Sequence, residues 1–327
     1  MTTDDCPDVS VVIVSFNTRD LLQECLATLQ AHAGAVRYET LVIDNASKDG
    51  SADAIAQAFP TVKLIRSAVN LGFGNANNLG FAQARGRYVV LLNSDAFLYP
   101  DALPKAVEYM DRDSRIGLGG ARLVSQDGSW QPSARLFPSL LNEFLNLSGL
   151  AARFPNNRVC GRFDRTWADP NMSALVDWVP GAFSIVRREV LESVGYFDPR
   201  YFLYYEEVDL CRRIKAAGYT LWYWPDVVVE HRGGESSKTV SHLTLSGAGT
   251  QLSLWRMRSE WLYYRQWHGG FGAWGAMALE KYWHLLRAAK NRRSNPVKTE
   301  ESQALVRLLR QSWRETQGGR VSPPQPW

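Results

Sequence analysis

Asn93-Ser94-Asp95 ends the apolar run Tyr88 to Leu92, so a carboxylate stands where a buried strand emerges. Hard cations take oxygen ligands and share them with substrate phosphates, and ligands of α/β sheets gather at strand ends. The triplet reads as a nucleotide-diphosphate site with Asp95 on a metal, although Asn, Ser and Asp also end strands simply as turn formers. Asp44 closes a second run, Glu39 to Asn45. There it can accept hydrogen bonds from a base or ribose, or serve as a turn or helix-cap residue before Asn45-Ala46-Ser47. The Gly-rich NLGFGNANNLG, Asn70 to Gly80, precedes a helical pattern and can present backbone N–H groups to phosphates. Asn77 replaces the third glycine of G-x-G-x-x-G, which argues against a dinucleotide fingerprint.

Glu206 and Glu207 open another helical pattern, with Asp209 close behind. Acidic residues in a first turn favour the helix dipole. A general base must reach an attacking hydroxyl, so one of the pair can serve while the other is structural. His231 lies between Glu230 and Arg232 after the last strand-like run. It is either a satisfied polar residue or a neutral imidazole ligand for an ion such as Mn²⁺ that accepts mixed N and O donors.

The elements that must hold these groups alternate. Val9 to Phe16, Glu39 to Asn45, Val62 to Ser67 and Arg87 to Asn93 are strand-like, with helical patterns between them at Leu21 to Leu29, Ser51 to Phe59 and Asn75 to Arg85. Continuous apolar strands between short helices indicate a parallel sheet covered on both faces. Its strand ends carry Ser15 to Thr18, Asp44-Asn45 and Asn93 to Asp95. Gly120 to Asp177 is irregular, and Trp178 to Val190 reads as a turn and strand entering a helix, with Pro180-Gly181 as punctuation. A helix follows from Glu207 to Ala217, then a last strand with a Gly-rich exit, Leu221 to Ser237.

The 327 residues are 45% hydrophobic and 21% charged, which excludes a disordered chain and suffices for a large α/β domain with an appendage. No apolar run approaches the roughly 18 residues of a membrane span. The opening MTTDDCPDVS lacks a secretory pattern, so an intracellular location is expected. Cys6, Cys25, Cys160 and Cys211 are widely spaced without a C-x-x-C pair and suggest neither zinc nor a disulfide framework. From Thr250 onward 13 Lys/Arg face 5 Asp/Glu, a net of +8, against 24 and 28 before it, and seven of the twelve Trp lie there.

In this order VVIVSFN, VIDNASKDGS, NLGFGNANNLG, LLNSDAFL, WVPGAFSIVRREV, GYFDPRYFLYYEEVDLCRRIKAAGY and EHRGGESS resemble the family 2 glycosyltransferases, in particular a rhamnosyltransferase-like branch that builds cell-surface polysaccharides. The likeness runs from about Asp8 to Ser237. It implies a GT-A fold, that is, a mainly parallel Rossmann-like α/β sheet flanked by helices, spanning residues 1–240, with a helical, basic, Trp-rich region over 241–327 and a disordered end. It also implies a nucleotide-sugar donor, Mg²⁺ or Mn²⁺, and inversion at the anomeric carbon. Asp44 matches the family's nucleotide-binding aspartate, and Ser15, Asn17, Asn70, Gly72, Asn77, Asn93 and Ser94 are expected around the nucleotide. Asp95 matches the metal-holding end of a D-x-D motif whose first carboxylate is here Asn93, which leaves Asp95 and His231 for the cation. Glu207 falls where the family's base stands as the Asp of an E-D pair, with Glu206 as the alternative, and Trp178, Pro180 and Gly181 border the acceptor.

The branch implies L-rhamnose from dTDP-rhamnose first, with UDP- or GDP-hexoses and galactofuranose behind it, and as acceptor a glycan on a polyprenyl diphosphate at the cytoplasmic face of the inner membrane. Trp, Tyr and Arg alternating from Trp255 to Arg293 fit an interfacial helix, or equally a helical subdomain with an aromatic core. No nucleic-acid module is recognisable. Two rival readings are a sugar-nucleotide-binding partner without turnover and a nucleotidyltransferase; the latter lacks its early Gly-rich loop and basic residue.

Overall fold

The computed structural model describes residues 6–233 and 251–323. The Gly-rich exit beyond Gly233, the tail before Gln251 and the last four residues of VSPPQPW lie outside the described residues. Two compact units form: Met1–Phe137 with Asp164–Asp198 and Glu207–Thr239, and Pro138–Phe163 with Pro199–Glu206 and Val240–Trp327. The second thus takes in two segments from within the span assigned above to the catalytic fold.

In the first unit strands and helices alternate as β1 (Val9–Ser15), α1 (Arg19–His32), β2 (Tyr38–Asp44), α2 (Ser51–Ala58), β3 (Lys63–Arg66), α3 (Gly72–Phe81) and β4 (Tyr88–Asn93). Then come β5 (Ala96–Leu98), α4 (Ala102–Arg112), β6 (Ile116–Val124) and β7 (Trp130–Gln131). The second unit interposes α5 (Leu140–Leu147) and α6 (Leu150–Arg153). The first resumes with β8 (Ala174–Leu175), β9 (Phe183–Arg187), α7 (Arg188–Val194), α8 (Glu206–Ala216), whose first residue groups with the second unit, and β10 (Thr220–His231). One sheet runs β3-β2-β1-β4-β9-β6-β10-β5, with β7 on β6 and β8 on β10.

The β3-β2-β1-β4 half is parallel. Val9, Val11, Val12 and Ile13 of β1 are all 0% exposed, as expected of a central strand covered on both faces. Beyond it β9 runs antiparallel to both β4 and β6, while β6 and β10 pair in parallel. The buried run Phe183–Val186 looks the same in either direction, so periodicity carries no information about this reversal. Helix α1 buries Leu22, Cys25, Leu26 and Leu29 on one face. Gly119 of β6 is indispensable, because a Cβ there would lie 1.9 Å from the ring of Trp224 on β10.

In the second unit α9 (Gln251–Asn291) packs with α10 (Pro296–Glu315). Gly269, at φ 68° and ψ −173°, breaks α9 into two helices, in a conformation essentially reserved for glycine. Before the break the aromatics form a core. Trp261, Tyr263 and Tyr264 are each 0% exposed, and Trp261 Nε1 donates to Ser312 Oγ at 2.8 Å. For Trp255 to Tyr264 the interfacial reading therefore gives way to the aromatic core, since these rings are packed within the unit. Among the described residues no helix is long and apolar enough to cross a membrane.

Candidate active site

The parallel half of the sheet brings three strand exits together. Ser15 Oγ, ending β1, shares a hydrogen bond of 3.0 Å with Thr18 Oγ1, which donates to Ser94 Oγ at 2.9 Å. These buried hydroxyls tie the exit of β1 to that of β4. Asn17, at φ 53°, bridges to the exit of β2: its N–H donates to Ser47 Oγ at 3.0 Å and its Oδ1 accepts from Lys48 N at 2.7 Å. Left-handed backbone is tolerated by Asn better than by most residues, which suits it to this crossing.

Asp44 is 5% exposed. Its Oδ2 accepts weakly from Ser47 N at 3.4 Å, and its Oδ1 is buried without a hydrogen-bond partner among the described residues. A carboxylate oxygen left unsatisfied in the interior costs about 1–3 kcal/mol or more, so it marks a place where a ligand donor is missing. Beside it Asn45 acts as a clamp. Its Oδ1 accepts from Leu71 N at 2.8 Å, and its Nδ2 donates to Asn70 Oδ1 at 2.9 Å and to Gly72 O at 3.2 Å. Gly72 at φ 80° permits the turn into α3. Asn77 lies inside that helix, its Nδ2 donating to Phe73 O at 2.9 Å.

At the end of β4, Asn93 Oδ1 is also buried without a partner among the described residues. Strand pairing brings His231 to the same place: β5 runs antiparallel to β10, with Ala96 opposite His231, so residue 95 neighbours the imidazole. Asp95 Oδ1 lies 3.6 Å from His231 Nε2. Gln131 determines how that ring is protonated. Its Nε2 donates to His231 O at 2.7 Å and Ser125 Oγ at 2.9 Å, so its Oε1 is left as the acceptor 3.1 Å from His231 Nδ1. The network thus assigns the proton to Nδ1 and leaves the Nε2 lone pair facing the Asp95 carboxylate. Burial holds the imidazole below its ordinary pKa, against the raising effect of Asp95, and favours this neutral form. A lone pair and a carboxylate facing each other repel unless a cation lies between them. One carboxylate oxygen and one imidazole nitrogen are donors that a divalent ion such as Mg²⁺ or Mn²⁺ accepts, with phosphate and water to complete its shell. A residue that holds the far nitrogen of a ligating histidine typically contributes about 10- to 100-fold in metal affinity, so Gln131→Leu is expected to weaken Mn²⁺ binding by about that factor, as read by titration calorimetry.

Glu207, in the first turn of α8, keeps Oε2 buried without a hydrogen-bond partner among the described residues. Burial raises its carboxyl above the ordinary 4.5, opposed by the N–H groups of Glu207 and Val208 and by the charge of Arg135. Arg135 itself lies 3.0 Å from Asp164 and stacks over Trp178 with its carbon 5.0 Å from the ring centroid. Trp178 is 6% exposed and donates from Nε1 to Leu136 O at 2.8 Å, so it shapes the wall as a packed plate. Pro180 and Gly181 are half-buried, and a Cβ on Gly181 would touch Phe73 of α3 at 3.4 Å. Glu206 is 3% exposed and groups with the second unit. Immediately before it Tyr204 and Tyr205 adopt φ of 70° and 69°, a rare pair of left-handed aromatics that costs about 1–3 kcal/mol each.

The sequence alone assigns no role to Asn45 beyond its place at a strand end, and none to Gln131, Arg135 or the strained Tyr204-Tyr205 pair. Only Asn45 carried a local signal, its place directly after Asp44. A depression of about 630 Å³ lined by Asp8, Arg87, Asp111 and Arg112 lies at the opposite end of the strands, where Arg87 pairs with both carboxylates. At the strand exits, by contrast, the Asp44 Oδ1 carboxylate oxygen is buried without a hydrogen-bond partner among the described residues.

Residues 10–169 match the family model described as glycosyl transferase family 2. The chain is 31% identical over 264 residues, covering 77% of itself and 85% of the relative, to the N-acetylglucosaminyl-diphospho-decaprenol L-rhamnosyltransferase of Mycobacterium tuberculosis. It is 28% identical to the rhamnosyltransferase WbbL of Escherichia coli K12, covering 66% of this chain and 80% of that one. Among solved structures it is similar to the mannosyltransferase PcManGT from Pyrobaculum calidifontis, crystallised with GDP-Man and Mn²⁺, with a TM-score of 0.53 at 17% identity over 94% of this chain and 87% of that one. The fold is that of the GT-A glycosyltransferases. The chain belongs to glycosyl transferase family 2 and is a glycosyltransferase.

Proposed function

We propose that the chain transfers L-rhamnose from dTDP-rhamnose, with inversion, to a hydroxyl of a polyprenyl-diphosphate-linked glycan during cell-surface polysaccharide synthesis. The relatives' names support the sugar and the lipid-linked acceptor. The observation that carries the transferase chemistry is the Asp95–His231 pair at the exit of β4, oriented by Gln131. UDP- or GDP-sugars are the alternative donors, the GDP sugar being the one bound in the PcManGT structure.

Asp44, with Asn17, Asn70 and Gly72 around it, receives the nucleoside, and the unsatisfied Asp44 Oδ1 accepts its hydrogen bonds. Ser15 and Ser94 hold the strand exits together through Thr18. Asp95 and His231 would hold a divalent cation, which supplies charge stabilisation to the departing diphosphate. Glu207 takes the proton of the acceptor hydroxyl as that oxygen attacks the anomeric carbon from the face opposite the diphosphate. Trp178, Pro180 and Gly181 border the acceptor. The lipid-linked substrate puts the enzyme at the cytoplasmic face of the inner membrane, and the net charge of +8 beyond Thr250 favours an anionic surface.

Transfer and hydrolysis assays with a panel of dTDP-, UDP- and GDP-sugars test the reading. Rhamnosyl transfer from dTDP-rhamnose is expected, and donor binding without turnover of any sugar would instead favour a non-catalytic binding partner. A base acts only when ionised, and burial raises the Glu207 carboxyl above 4.5. Transfer therefore declines as the pH falls through this raised value, so the acid limb of kcat/KM is expected above the ordinary carboxylate range. A flat profile down to pH of about 4.5 would remove Glu207 as the base.

A further inference from the structure

The part of α9 beyond Gly269 is amphipathic in the inverted sense. Phe271, Trp274, Tyr282, Leu285 and Leu286 are 92%, 59%, 60%, 38% and 68% exposed. At about 100° per residue they share, with Ala278 and Ala289, an arc of about 120°. The opposite face is buried and consists of Ala273, Ala276, Glu280, His284 and Ala288. Small and polar side chains thus pack inward while the large apolar ones face out along about 27 Å of helix. Glu280 tolerates burial because Arg256 pairs with it at 2.8 Å. The apolar surface continues onto α5 of the same unit: a Cβ on Gly275 would sit 3.2 Å from Leu140 Cδ1, and Leu140, Leu141 and Phe144 are each more than 40% exposed.

Charge identifies what covers this face. Between residues 269 and 295 the only acidic residue is Glu280, on the buried side, whereas Lys290, Arg292 and Arg293 are exposed at the end of the stripe. Across 138–163 the only acidic residue is Glu143, half-buried within reach of Tyr264, while Arg153 and Arg158 are exposed beyond α5. Large exposed apolar patches mark binding surfaces. An apolar stripe whose own segments expose cations at their ends, with aromatics among its outward residues, has the composition of a helix lying in the headgroup region of an anionic bilayer. We propose that the outward face of α9 from Phe271 to Leu286, with the exposed end of α5, is a docking surface for an anionic lipid bilayer. This deepens the reading of a membrane-borne acceptor and rests on it for the source of the lipid. It also divides α9: Trp261, Tyr263 and Tyr264 before Gly269 are core, and Phe271, Trp274 and Tyr282 after it meet the membrane.

The full chain is mixed with vesicles of phosphatidylglycerol and phosphatidylcholine, and with phosphatidylcholine alone, and the bound fraction is read by flotation. Binding to the anionic vesicles is expected, with the partition coefficient of F271S/W274S/L286S lower by on the order of 100-fold, given what three apolar side chains half-buried in the interface contribute. Neutralising Lys290, Arg292 and Arg293 to Gln is expected to weaken binding at low salt and to reduce its salt dependence. Sugar-nucleotide binding by calorimetry is measured on the same variants. It should not change, and its absence from the wild type would count against the transferase reading alone. Vesicle binding by the triple Ser variant equal to wild type overturns the proposal. So does a wild-type dimer in solution that this variant disperses, since the face then joins two copies of the chain.

Discussion

An Asp95→Ala chain is expected to melt like the wild type, to bind Mn²⁺ only weakly and to transfer no measurable sugar. Asp95 is 5% exposed, its carbonyl oxygen accepts from Arg232 N at 3.0 Å, and that backbone bond survives the substitution. What is lost is the oxygen facing the His231 lone pair. A metal that stabilises a departing diphosphate supplies several kcal/mol of barrier lowering, so the loss in kcat/KM should be about 10³-fold or more. A protonated His231 cannot mimic the result, because Asp95 raises the imidazole pKa and its removal leaves the ring still harder to charge. Manganese binding, followed by the electron-spin signal of the free ion, separates lost metal from lost fold. Unchanged transfer by the variant, or by wild type in excess chelator, would sink the assignment.

The same neighbourhood shows what a linear reading can and cannot reach. Asp44 and Asp95 were legible because each terminates an apolar run, and the pattern that makes the strand also locates its exit. His231 was legible only as a residue that follows a strand. Its partnership with Asp95 depends on the antiparallel pairing of β5 with β10, a contact between positions more than a hundred residues apart. Gln131 carried no signal at all, sitting in a two-residue strand within the irregular segment, and its role exists only once β7 pairs with β6. Asn77 shows a different limit. Polar residues in a Gly-rich loop suggest ligand contact, yet this one lies in α3 and bonds to the turn before it.

The tail divides for a comparable reason. Trp and Tyr spaced along a helix look the same whether they face a neighbouring helix or solvent, and in the structure Phe271, Trp274 and Tyr282, beyond the break at Gly269, face outward. The antiparallel course of β9 is equally silent in sequence, since a buried strand needs apolar residues on both faces in either direction.

Glu207→Gln is expected to bind sugar nucleotide as the wild type does and to transfer 10²- to 10⁴-fold more slowly, the usual contribution of a positioned general base. The substitution keeps the side-chain shape at a site where Oε2 is buried and the carboxyl is held above its ordinary pKa, and it removes the charge that interacts with Arg135. Glu206→Gln provides the control, because Glu206 precedes it by one residue and groups with the second unit. Successive residues on a helix point about 100° apart, so only one of the two carboxylates can face a given acceptor hydroxyl. Calorimetry for the donor and single-turnover transfer on both variants resolve the pair. The smaller rate should belong to Glu207→Gln, and the acid limb of the wild-type pH profile should vanish with it. If Glu206→Gln is instead the crippled variant, the base lies one residue earlier, and the buried oxygen of Glu207 belongs to the packing of the helix start.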